Sequence, residues 1–305
     1  MDDPEIPEIG LSWTAILVQV TVVAIVKVFD GIVISADSAT TMQFPNGSAQ
    51  VYNNANKVFH LHRDFPIAAA TWGLGGLGAA SISTLMKDFR QRLMGIDHGF
   101  EGWKLEPDYT IQGVAERIVQ MLFDEFYVPQ VGSGRTPQVE LGMAVAGYQR
   151  RNGIVEGEVW TIKMLDTLQR PVPQLAAGAD QMGWLAYAIE GATDRLFRGY
   201  DDQLVNILQT TLDPQAFGAV MGRLGELDRQ PALAAMPVGD AIKLAEYMAE
   251  VTAGWAHFLP GPDVVGGEIE VASITRHEGF KWIRRKHYYP QELNPEDPGH
   301  DHWHA

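Results

Sequence analysis

The chain has no cysteine, which excludes disulfides, thiolate metal ligands and a cysteine nucleophile. That absence fits a cytoplasmic protein, the localisation expected here. Positive charge is scarce: 23 Lys and Arg face 38 Asp and Glu, for a formal net charge of −15. A nucleic-acid or anionic-membrane partner needs a basic face, so neither is expected. Long apolar runs are missing too. Ile16 to Val26 comes closest, but Gln19 and Thr21 interrupt it, and it is too short to span a bilayer. From Met1 to Ile9 the chain is acidic where a secretory signal would be basic. No internal repeat is present, and 305 residues suffice for one large domain or two small ones.

What is present is an ordered alternation of strand and helix patterns. Residues 1–20 read as an N-terminal extension or leader, acidic at first and apolar from Leu11 to Val20. Thr21 to Ser38 reads as a hairpin of two apolar runs turned at Asp30-Gly31. Phe44 to Ser48 is loop chemistry, and two short strands follow around Arg63-Asp64. The glycine-rich turn Gly73 to Gly78 is expected to open a helix with Ile82, Leu85, Met86, Phe89 and Leu93 on its inner face. A second helix is expected from Ile111 to Phe126, capped by Thr110, with Val114, Ile118, Met121 and Leu122 inward. Strands return at 139–147 and 155–164, joined by Arg151-Asn152-Gly153. Residues 181–258 read mostly as helix, broken at Gly199, Pro214, Pro231 and Pro237. A last hairpin turns at His277-Glu278-Gly279, and the acidic tail 290–305 reads as disordered.

Three groups near the first hairpin have the chemistry of a catalytic set: the Thr21 hydroxyl, the Asp37 carboxylate and the Lys57 amine. They lie among Asp30-Gly31-Ile32-Val33-Ile34, Ala36-Asp37-Ser38 and Asn54-Ala55-Asn56-Lys57. In combination these motifs resemble the proteasome β-subunit group of N-terminal nucleophile hydrolases. In that family a Thr opens the first strand, and Thr21 stands at the family's sixteen-residue interval before Asp37. The resemblance implies an α+β fold, specifically a four-layer αββα sandwich over residues 21–289, with 198–236 as an inserted helical segment. It also implies a cytoplasmic homo-oligomer that acts as a threonine-type peptidase or amidase on a peptide or amide substrate, with no cofactor or metal. Thr21 would be the nucleophile, Asp37 and Lys57 its support, and the backbone at Gly73 the oxyanion donor.

An N-terminal nucleophile uses its own α-amine as base, so Thr21 would have to become the first residue. Self-cleavage after Val20 is one route, and initiation at a valine codon there, followed by loss of the initiator Met, is another. Three positions depart from the family pattern: Val20 for glycine, Ala179 for the serine of a later GSG motif, and Val265 for the serine before Gly266-Gly267. The same features suit a catalytically silent subunit serving assembly or scaffolding. A three-residue turn, Phe29-Asp30-Gly31, would pair Val23 with Asp37 and set Thr21 and Asp37 on one sheet face. Other candidates carry less. The glycines of 73–78 lack the Lys-Ser/Thr of a phosphate loop. His60 and His62 alternate without a third ligand, and His300, His302 and His304 fall in the tail. The run Arg284 to His287 reads as a solvated strand end.

Overall fold

Ile16 to Val28 is one apolar run in sequence and two strands in space. The computed structural model describes residues 16–19, 21–43, 48–132, 140–164, 168–188, 191–259 and 265–286. In it β1 (Ile16–Gln19) belongs to one sheet, while β2 (Val22–Lys27) and its hairpin partner β3 (Gly31–Ala36) belong to another. The expected loop at 44–47, the acidic start and the 290–305 tail with its three histidines lie outside the described residues.

Four further strands join β1: β4 (Thr40–Gln43), β5 (Ala49–Tyr52), β6 (Val58–His60) and β7 (Ile67–Leu74). A small ribbon of β8 (Gly76–Leu77) and β9 (Ala80–Ser81) then leads to α1 (Ile82–Met94). The glycine-rich turn therefore does not open the helix directly; Ser81 does, its hydroxyl accepting the Thr84 N–H at 3.1 Å. Next, α2 (Ile111–Ile118) runs through a π-helical stretch (Val119–Tyr127) into α3 (Val128–Gly132). Thr110 caps α2 by accepting the Gly113 N–H at 3.0 Å.

The hairpin β10 (Leu141–Arg151) and β11 (Ile154–Met164) turns at Asn152 and Gly153, both at positive φ (51° and 80°), as a two-residue primed turn requires. β12 (Gln174–Ala177) and β13 (Gly183–Ala188) follow. β13 corrects the expectation of helix from residue 181. It pairs along the edge of β2 from Gly183↔Lys27 to Ala188↔Val22, and that pairing outweighs a short run's helical propensity. Helices α4 (Gly191–Phe197), α5 (Asp202–Thr211), α6 (Pro214–Leu224) and α7 (Val238–His257) precede the closing hairpin of β14 (Glu270–Thr275) and β15 (Gly279–Arg284).

The chain is a mixed α+β protein, and among the described residues every strand pairing is antiparallel. The larger sheet runs β12-β11-β10-β7-β1-β4-β5, with β6 also on β7; the smaller runs β13-β2-β3-β14-β15. Strand parity separates the cores. Val23, Ile25, Ile32 and Ile34 meet Ala68, Ala70, Ala144 and Ala146 between the sheets. Ala24, Val26 and Val33 turn instead to Ala241, Ala245 and Met248 of α7. On the far side of the larger sheet, all five expected inner residues of α1 and all four of α2 and its extension are buried. By contrast α5 and α6 contribute no buried residue.

Candidate active site

The site is assembled where β2 begins and β3 ends, against one edge of β7. β6 pairs with Ala68 to Ala70 of β7, and β1 pairs with Gly73 and Leu74. β10 occupies the other edge, so β6 and β1 share this one. Thr71 and Trp72 lie between them, and the Thr71 N–H donates to the Lys57 carbonyl at 3.0 Å. Lys57, just before β6, and Thr21, just after β1, are thereby led to the same stretch of β7.

Asp37 ties this stretch to the smaller sheet. Its Oδ1 accepts the Val22 N–H at 3.1 Å and the Lys57 ammonium at 2.7 Å. Its Oδ2 accepts the N–H groups of Ala39 and Gly266, both at 3.1 Å. Both side chains of the ion pair are fully buried. Burial lowers the Lys57 pKa, opposed chiefly by the Asp37 charge. Lys57 thus sits at the edge of the larger sheet, and its ion pair bridges the two sheets.

The hairpin register differs by one residue from the expected one. The Val28 N–H donates to the Gly31 carbonyl at 2.9 Å, so the turn is Phe29-Asp30 and Val23 pairs with Ala36. In an unbroken ladder that register would set Thr21 and Asp37 on opposite faces. The strand ends at Ala36, however, and the Asp37 side chain turns back to the Val22 N–H next to Thr21. Thr21 is itself fully buried, and its Oγ1 has no hydrogen-bond partner among the described residues. A buried unpaired hydroxyl costs about 1–3 kcal/mol.

Two glycines frame the site for steric reasons. Gly73 has φ +83°, and a Cβ there would stand 2.0 Å from the Glu140 carbonyl oxygen. Gly267 has φ +73°, and its Cβ would meet the Asn53 carbonyl oxygen at 2.7 Å. Beside it Gly266 exchanges bonds with the hairpin end: its N–H reaches Asp37, and its carbonyl accepts the Ser38 N–H at 2.9 Å. The Val265-Gly266-Gly267 motif therefore does adjoin Asp37, while Pro262, Asp263 and Val264 lie outside the described residues.

The loop Ala177 to Asp180 does not adjoin it. The Lys27 ammonium donates to the carbonyls of Gly178, Ala179 and Gln181 at 2.9, 3.1 and 2.8 Å. Lys27 ends β2 at the opposite tip from Thr21, about 20 Å away at ~3.3 Å per strand residue. The residue of this segment that comes level with the site is Ala188, opposite Val22. Ala179 therefore does not stand in for a serine beside Thr21.

Behind the Asp37–Lys57 pair lies a second buried pair that the sequence pattern did not reveal. Glu270 Oε2 stands 3.8 Å from the Lys286 ammonium and accepts the Lys57 N–H at 3.5 Å. Lys286 also donates to the Ala55 carbonyl. Burial raises the Glu270 pKa and lowers that of Lys286, each countered by the other's charge. Arg284 and Arg285 are exposed as expected, but Lys286 is only 6 % exposed, so the basic run is not wholly a solvated end. The only sequence signal was a lysine closing a strand of period two, which says nothing of a partner sixteen residues away.

His60 and His62 are accounted for by rings: His60 stacks on Phe280 at 4.2 Å and His62 on Phe65 at 4.4 Å. Among the described residues no group of three or more His, Asp or Glu could hold a metal ion, and no helix is long and apolar enough to cross a membrane. No protein-family model matches the chain, and no curated protein is significantly similar to it.

Proposed function

We propose that this chain is a proteasome-like N-terminal nucleophile hydrolase, a threonine-type peptidase or amidase with Thr21 as its nucleophile. One observation carries the proposal: the Asp37 carboxylate holds both the buried Lys57 ammonium and the N–H of Val22, the residue next to Thr21, whose buried hydroxyl has no hydrogen-bond partner among the described residues. The order of layers supports the finer fold assignment, an αββα sandwich, since helices cover the outer face of each of two facing sheets. A cytoplasmic homo-oligomer with a peptide or amide substrate belongs to the same proposal.

In the chain as encoded the Thr21 nitrogen is an amide and cannot act as a base. Once residues 1–20 are absent it is an α-amine with a reference pKa of roughly 7.7–8.0. The amine then takes the Oγ1 proton as Oγ1 attacks the acyl carbon. Lys57, held by Asp37, favours the uncharged amine electrostatically. The backbone at Gly73, opposite Gln19 in the β1–β7 pairing, is the candidate oxyanion donor. β1 lies between β7 and β4, and the strand slot that it fills would receive an extended acyl substrate by main-chain bonding.

The position of β1 also supports a second reading, a silent subunit that keeps residues 1–20 as a structural strand. The test is to express the full chain beside a protein beginning Met-Thr21. Intact mass should show free Thr21 in the short form, and a hydroxyl-directed acylating probe should label it but not its Thr21→Ala variant. A folded short form with free Thr21 that neither reacts nor cleaves any acyl substrate would leave only the scaffold reading.

A further inference from the structure

A cavity of about 310 Å³ lies between α1, β6 and the end of β15, with Glu270 in its lining. Its lining contrasts with the charge of the whole chain. Lys87 and Arg90 enter from α1, Arg285 and Lys286 from the end of β15, and Glu270 is the one carboxylate among them. Glu270 is already engaged with Lys286, and among the described residues neither Lys87 nor Arg285 makes an ion pair. Converging cations repel one another in a partly buried site, and a dianion offsets that repulsion better than a monoanion. His60, also in the lining, has its pKa lowered to about 4 by burial and by Arg90, so at neutral pH it adds no charge and remains a hydrogen-bonding group. The same lining carries apolar surface from Met86 of α1 and Trp282 of β15, and the Arg285 guanidinium stands 5.2 Å over the Trp282 ring.

We propose that this cavity binds a small phosphate monoester, its dianionic head held by Lys87, Arg285 and Lys286 and its organic part set against Trp282 and Met86. Phosphate carries nearly two charges at neutral pH and accepts from several cationic donors at once, which suits this geometry. The inference is independent of the proposed hydrolase activity and uses neither Thr21 nor Asp37.

The probe is phenyl phosphate, titrated into the full-length chain at constant ionic strength, with inorganic phosphate and benzoate beside it. Phenyl phosphate should bind more tightly than either, and a Lys87→Glu/Arg285→Glu variant should bind it about tenfold more weakly or worse. Both residues are exposed, so the variant should keep its thermal midpoint without ligand. Should it fail to fold, lysine acetylation of the wild-type chain decides: phenyl phosphate should protect Lys87 and leave the exposed Lys243 and Lys281 unchanged. No saturable binding, benzoate binding as well as phenyl phosphate, equal affinity in a folded variant, or unprotected Lys87 would overturn the proposal.

Discussion

The Asp37 carboxylate accepts from four donors in a space closed to water, so neither member of its ion pair with Lys57 can be removed cheaply. Deleting one partner of a buried pair leaves an uncompensated charge and typically costs about 3–5 kcal/mol. Asp37→Ala or Lys57→Ala in the full chain should lower the denaturant midpoint accordingly, whereas an exposed pair such as Lys243–Asp240 should lose less than about 1 kcal/mol. His60 makes a prediction about pH. Its folded pKa of about 4 lies below its ordinary 6.5, so between those values the unfolded chain binds a proton that the folded chain does not. Its contribution to stability should therefore fall as pH drops from 6.5 through 4 and level off below. His60→Gln should flatten that part of a stability-versus-pH profile measured by urea titration.

At the scale of elements, β1 is the strand whose removal the proposed chemistry demands. It joins β7 to β4 through Val18↔Leu74 and Val18↔Thr41, so a chain beginning at Thr21 presents two facing, unpaired strand edges. A peptide of the sequence Ile16 to Val20 added to that short form should refill the slot. The expected result is a raised thermal midpoint and slower acylation of Thr21 by the probe. A scrambled peptide should do neither. An unchanged midpoint with the native peptide would mean that the slot closes or rearranges when β1 is gone.

Across the whole molecule, stability should concentrate in the layers around the two sheets and bypass the α5–α6 pair. Met248 of α7 is fully buried against the smaller sheet, and Met248→Ala should cost about 2–5 kcal/mol. Ile207 of α5 is 54 % exposed, and Ile207→Lys should stay within about 0.5 kcal/mol. Urea midpoints of the two variants measure the contrast. A large loss at Ile207 would show that α5 is covered by another copy of the chain, and the mass of the protein in solution would check this.

Much of this architecture was legible in local pattern. The inner faces of α1 and α2, the Thr110 cap and the Asn152-Gly153 turn follow from periodicity and turn chemistry, which act over a few residues. The choice of Thr21, Asp37 and Lys57 rested on motif spacing, and the structure brings Asp37 and Lys57 into contact across twenty residues of chain. What local pattern could not carry were decisions made between elements. The division of one apolar run at Val20 and Thr21 depends on which sheet edge each half meets. The one-residue register at Phe29-Asp30 depends on how β3 packs against β14 as well as β2. The Glu270–Lys286 pair behind Lys57 links residues that become neighbours only when the closing hairpin joins the sheet. Hydrophobic periodicity records which side chains are buried; which strand lies beside which, and which charge is buried opposite which, is set by the packing of the two sheets.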